Sequence, residues 1–147
     1  VSPELDKKLT EKYPKIFTLR YGDMTDTAMY WGFECNDGWY QILDSLCGQI
    51  QSYIDWKNNS AKAGYKDWEP VEQVVAVQVK EKFGGLRFYY DGGDEHISGM
   101  VRMAESWAAH TCEDCGKPGI LREGGWLRTI CDEHAQERNK QNEQSYP

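Results

Sequence analysis

The sequence predicts an α+β domain: a small antiparallel sheet packed with two or three helices, followed by a C-terminal metal-binding hairpin and helix. Three observations carry that expectation. Apolar residues from Trp39 to Ile54 recur at helical steps. Residues from Val71 to Tyr90 alternate with period two around a glycine break. Cys112, Cys115, Cys131 and His134 stand at metal-ligand spacing.

The elements follow in order. Ser2 is a good N-cap with Pro3 at the first helical position; Leu5 and Leu9 share a face, and Pro14 ends the helix near Tyr13. A short strand is expected around Ile16 to Arg20. Asn36-Asp37-Gly38 caps a helix running to about Lys57, with Trp39, Ile42, Leu43, Leu46, Ile50, Tyr53 and Ile54 at steps of three and four. Asn58 to Pro70 reads as a polar loop. Val75, Val77 and Val79 line one face of a strand, Gly84-Gly85 breaks it, and Leu86 to Tyr90 resumes it as an antiparallel hairpin. Ile97, Met100, Val101, Ala104, Trp107 and Ala108 then mark a second core helix. The domain reading is 1–108 for the α+β core, 109–140 for a metal-binding module packed on it, against the second helix, and 141–147 for a flexible tail.

Composition bounds the function. The chain has 147 residues, a net charge of −7 from 24 acids against 17 bases, and 39% hydrophobic residues, which describes a globular protein. An acidic balance argues against a general duplex-DNA binder, which needs a basic face. No apolar run approaches the roughly eighteen residues of a membrane span. The polar, acidic start Val1-Ser2-Pro3-Glu4 is not a secretory leader. Five cysteines, three of them in a metal pattern, point to a reducing compartment and a cytoplasmic location, with Cys35 and Cys47 as free thiols.

Cys-x2-Cys, fifteen residues, then Cys-x2-His is the strongest chemical signal. Gly116 permits the tight turn of a knuckle, Ile120-Leu121 and Trp126 to Ile130 pair as a hairpin, and Cys131 and His134 share a helix face. Knuckle, hairpin and helix in that order resemble a treble-clef zinc finger. Three Cys and one His fill a tetrahedron and leave no seat for substrate, so Zn2+ is read as structural rather than catalytic. A disulfide or chance spacing is the alternative, and His110 is a competing ligand.

The ligand-contact candidates are Lys80, Lys82, Gly84, Gly85, Arg87 and Tyr89: glycines let a backbone approach an anion, and the cations supply charge. The plainer reading is a hairpin with a solvated basic edge. Tyr30, Trp31, Phe33, Trp39 and Tyr40 are read as core rather than as a stacking platform. His96, amid Asp91, Asp94 and Glu95, fits an acid-decorated helix start better than a catalytic role. No nucleophile elbow, zinc-protease motif or phosphoryl-transfer set is present, so no catalytic residue is assigned and the chain is read as a non-enzyme.

Trp31-Gly32-Phe33-Glu34-Cys35, Asp37-Gly38-Trp39, Val79 to Tyr89 and the terminal Cys/His unit resemble a group of small, mostly uncharacterised proteins of bacteriophages and prophages. The resemblance spans roughly residues 2–135. It implies an accessory protein in a bacterial host's cytoplasm that works by binding: blocking a host defence protein, or sequestering a nucleotide. A third reading is a nucleic-acid module with Lys117, Arg122 and Arg128 on the zinc hairpin as its basic patch.

Overall fold

A computed structural model describes residues 1–64 and 69–145. Helix α1 (Pro3–Lys12) starts where its cap predicts, with Ser2 Oγ accepting from the Leu5 N–H at 3.3 Å, and it buries Leu9. The strand expected at Ile16 to Arg20 is instead a series of turns. Both Ile16 and Phe17 donate their N–H to Tyr13 O, and both side chains are buried. Local turn bonds satisfy this backbone without a ladder, and Ile16 O accepts from the Ala76 N–H at 2.8 Å.

Helix α2 (Tyr40–Lys62) is the central element of the core. Ile42, Leu43, Leu46, Cys47, Ile50 and Ile54 are buried along one stripe. Gly48 lets Tyr13 come close; the Tyr13 hydroxyl donates to Asp44, whose side chain also takes Lys12. The helix runs beyond Lys57, into the expected polar loop, to Lys62. Asn58 closes it by a two-way bond, accepting from the Val71 N–H and donating to Val71 O. Residues 65–68 of that expected loop lie outside the described residues.

The sheet is mixed rather than purely antiparallel. Strands β2 (Val75–Lys82) and β3 (Gly85–Asp91) form the expected antiparallel hairpin. Strand β1 (Phe33–Glu34) adds to β2 in parallel, pairing Phe33 with Val79 and Glu34 with Lys80. A bulge between Ala76 and Gln78 shifts the register, so the buried residues are Val74, Ala76 and Val79, not the 75/77/79 set that simple alternation gives. Leu86 and Phe88 join them on the core face. The turn is one residue earlier than predicted: Phe83 and Gly84 occupy it with φ 53° and 81°, and Gly85 already belongs to β3.

Helix α3 (Glu95–Ala108) buries Ile97, Val101, Ala104 and Ala108, packs on α2, and covers β3. Glu105 accepts from the Phe88 N–H at 3.2 Å, satisfying a donor on the edge strand. A second, two-stranded sheet pairs β4 (Ile120–Arg122) with β5 (Arg128–Ile130), and α4 (Asp132–Gln144) follows. That helix runs into the stretch read as a flexible tail; residues 146–147 lie outside the described residues. No helix among the described residues is long and apolar enough to cross a membrane.

Candidate metal centre

Residues 112–134 bring four donors to one point. Cys112 and Cys115 lie on the knuckle after α3, Cys131 sits at the N-cap of α4, and His134 is in its first turn. Their ligand atoms all lie within 4.8 Å of one another. Cys115 Sγ is 3.8 Å from Cys131 Sγ, and His134 Nδ1 is 3.6 Å from Cys112 Sγ and 3.2 Å from Cys131 Sγ. Tetrahedral zinc, with Zn–S about 2.3 Å and Zn–N about 2.0–2.1 Å, sets sulfurs about 3.8 Å apart and sulfur and nitrogen about 3.6 Å apart. The cluster fits such an ion, with the Cys131–His134 pair slightly tight.

Electrostatics act unequally on the donors: burial, with hydrogen bonds to Cys112 and Cys131, pushes the Cys115 thiol up to about 11. The backbone N–H of His134 and then its imidazole draw the Cys131 thiol down to about 7. Reciprocally, Cys131 raises the His134 pKa. Thiolate is the form that ligates a metal. His134 Nε2 lies 3.9 Å from Glu137, so a carboxylate stands behind the ligating imidazole. His110 is not among the four; its Nδ1 lies 3.0 Å from Ser106 O at the end of α3.

The module docks on the 36–39 turn and the β2–β3 turn as well as following α3. Gly38 N–H donates to Glu113 O at 2.7 Å, and a Cβ on Gly38 would overlap the carbonyl oxygens of Cys112 and Glu113. Trp39 Nε1 donates to Thr111 O at 2.9 Å, and the Asn36 N–H donates to the Glu113 carboxylate at 3.0 Å. Burial holds the Glu113 carboxyl above its ordinary value, against the pull of the Asn36 N–H and of Arg128. On the other side, Thr129 Oγ1 donates to Gly84 O at 2.7 Å. A Cβ on Gly84 would stand 2.5 Å from Leu121 Cδ1. Gly84 is therefore the seat of the β4–β5 hairpin, and its carbonyl is already engaged there.

The other ligand candidates share one surface. Lys80 pairs with Arg87 across β2 and β3, Lys82 pairs with Gly85, and Tyr89 follows on the same outward face. Gly85 makes room for Arg87, whose Nη1 would lie 3.0 Å from a Cβ there. Lys80 Nζ stands 5.9 Å from the Tyr89 ring centroid. Tyr89 is 43% exposed, while Tyr90 packs on the core. Among the described residues, no carboxylate forms an ion pair with Lys80, Lys82 or Arg87. By contrast, Lys117, Arg122 and Arg128 of the expected basic patch pair with Glu133, Asp132 and Asp114. Each of these cations thus has a carboxylate nearby, although the Lys117–Glu133 pair is long and exposed.

The aromatic cluster divides. Phe33 and Trp39 are core, whereas Tyr30 and Trp31, read as core from sequence, are 41% and 63% exposed. His96 stacks on Tyr53 at 4.5 Å, and the Tyr53 hydroxyl donates to Asp94 at 2.6 Å. Phe83 is the residue the sequence reading missed. It is the only non-glycine at positive φ among the described residues, and its side chain is 68% exposed. A bulky residue there costs about 1 kcal/mol in backbone strain, and burial returns little of it. The signal was available: a two-residue hairpin turn of this kind wants Asn-Gly, and the sequence has Phe-Gly.

Models of protein families, curated proteins and solved structures offer no match to this chain. Function is therefore argued from its own residues.

Proposed function

We propose that the chain is a zinc-stabilised, non-enzymatic binding protein whose C-terminal module is treble-clef-like, with structural Zn2+ on Cys112, Cys115, Cys131 and His134. The donor set carries this reading: four protein ligand atoms within 4.8 Å of one another, enough to fill a tetrahedral ion's shell, would leave no open position for a reacting water. We read its role as that of a phage accessory protein in a bacterial cytoplasm, binding and inhibiting a host component, in keeping with the resemblance of its motifs. Exposed Trp31, Trp56, Met103, Ile120 and Trp126 supply apolar surface suited to an interface. Metal analysis of the purified chain should give one zinc per molecule, and Cys115→Ser should lower that content. Immobilised protein should retain one host protein at fixed stoichiometry, and the interaction should be reproduced with that protein purified. Zinc-free material that keeps its full fold would sink the structural reading; failure of any purified host protein to rebind would sink the inhibitory one.

A second reading is favoured by cations on the sheet that form no ion pair among the described residues: the face carrying Lys80, Lys82, Arg87 and Tyr89 binds an anionic small ligand such as a nucleotide. A thermal-shift panel of mononucleotides tests it, since ligand at 100 times its dissociation constant adds about 2.7 kcal/mol of stability.

A further inference from the structure

We infer that the outward face of the β2–β3 hairpin is a platform for single-stranded nucleic acid. This uses the surface of the second reading but assigns it a polymer. Three features of the face point that way. Lys80, Lys82 and Arg87 project from adjacent register pairs of a chain that is otherwise acidic, and among the described residues none of them forms an ion pair with a carboxylate. Screening confines surface fields to about 8–10 Å at physiological salt, so this local cluster governs an incoming phosphate more than the net charge does.

Second, aromatic rings flank the cations. Tyr89 lies one outward position beyond Arg87, about 6.8 Å along the strand, and Phe83 stands at the opposite end in the turn. A lysine ammonium sits near each ring, at 5.9 Å for Lys80 over Tyr89 and 5.7 Å for Lys82 over Phe83. Exposed rings alternating with cations on an open sheet stack bases and hold the phosphates between them. An acidic peptide would use the cations but not the ring faces. Duplex DNA keeps its bases stacked inside and would use only the charge.

Third, Phe83 holds a strained left-handed backbone while its ring stays 68% exposed. Asn at this position would suit the turn better, so the aromatic ring is retained against local stability. A contact made only with a ligand accounts for it. Glu34, in register with Lys80, is a carboxylate on the same face and limits affinity.

Fluorescence anisotropy with fluorescein-labelled oligo(dT) and oligo(rU) of about twenty nucleotides, on the zinc-loaded full chain, tests the assignment. Expected is saturable binding that weakens with salt, and a tenfold or greater preference for single strand over duplex. Lys80→Ala and Arg87→Ala should each reduce the salt slope by about 0.7, and Tyr89→Ala should weaken binding roughly tenfold. Lys8→Ala and Lys15→Ala, exposed in and just after α1, should leave the constant within about twofold, and Glu34→Gln should tighten it. The decisive variant is Phe83→Asn, which should raise the melting temperature while weakening oligonucleotide binding several-fold. A merely structural Phe83 would move stability alone. Flat anisotropy with both oligonucleotides at low salt overturns the proposal, as does equal affinity for duplex. Tighter binding of a labelled poly-Glu peptide also overturns it and assigns the face to an acidic protein. A flat mononucleotide panel defeats the second reading while leaving the polymer measurement to decide this one.

Discussion

Helices α2 and α4 are held in place by opposite means. Helix α2 buries six apolar side chains along one stripe and belongs to a core that includes Leu9, Ile16, Trp39, Val79, Leu86 and Ile97. At about 1.5–3 kcal/mol for each fully buried side chain, that stripe alone exceeds the helix's own propensity many times over. Helix α4 has 13 residues and buries only Ala135. The cluster beneath it consists of Cys112, Ile130, Cys131 and Ala135, and two of those four belong to the candidate metal cluster. A polar helix with so little apolar contact needs another fastening, and Cys131 and His134 at its N-terminus, with Cys112 and Cys115 on the knuckle, could supply one by holding a metal. The comparison teaches that buried apolar area can account for the placing of the first part of the chain but not for that of the last.

Metal removal is the sharpest way to break the symmetry between the two. Structural zinc contributes about 10–16 kcal/mol of apparent binding free energy in small modules, so its loss should unfold the hairpin and α4 while α2 and the sheet persist. Far-UV circular dichroism should lose the equivalent of α4 only. Trp126 is a poor reporter because it is already 75% exposed. Trp39 is the better one, since its indole N–H reaches into the module at Thr111 O. A chelated protein, verified metal-free, with unchanged helicity would remove the contrast altogether.

The next largest effect should come from the joint between the two parts. Gly38→Ala forces a methyl group into the backbone of Cys112 and Glu113, and neither carbonyl can move without shifting a ligand. A cost of about 3 kcal/mol in urea unfolding is expected, at the upper end for overpacking, together with a lowered zinc content. Loss of stability with full zinc occupancy would show that the joint and the metal site are uncoupled.

Legibility in the sequence follows the same division. Helices α2 and α3 and the β2–β3 hairpin were readable because burial imposes a period, and periodicity is a local property. The clustering of Cys112, Cys115, Cys131 and His134 was readable because a knuckle and a helix turn impose fixed spacings. What escaped was set by distant contacts. Strand β1 is two residues long and exists only because β2 lies beside it. The bulge at Ala76–Gln78 rephases a strand whose β-branched alternation looked regular. Glu113 was unremarkable between two cysteines, yet it meets the Asn36 N–H across 77 residues. Helix α4 extends past the predicted boundary because polar residues carry no apolar period to mark its end. Tyr30 and Trp31 were assigned to the core on hydrophobicity alone, which does not specify which aromatic rings remain outside.

The smallest effect compares how the two late helices begin. Helix α4 starts on Cys131, a thiol of the candidate metal cluster, whereas α3 starts on Asp94, whose side chain accepts from the Ile97 N–H at 3.1 Å and from the Tyr53 hydroxyl at 2.6 Å. Burial tends to raise the Asp94 pKa, but the Tyr53 hydroxyl and the N–H groups of Ile97 and His96 outweigh it and hold the pKa below its ordinary value. A carboxylate with a depressed folded pKa contributes stability that is complete above the unfolded value. That contribution is lost as pH falls through the folded one. Asp94→Ala should therefore cost about 1 kcal/mol at neutral pH, the usual worth of an N-cap, and less once acid protonates the wild-type carboxyl and removes the charge-dependent part. Asp94→Asn keeps an N-cap acceptor without a titrating charge, so it should retain most of the stability and flatten the acid limb of the urea midpoint against pH. If the Ala and wild-type proteins instead keep a constant difference through the acid range, the cap acts by shape rather than charge. The start of α3 would then owe nothing to the ionised carboxylate.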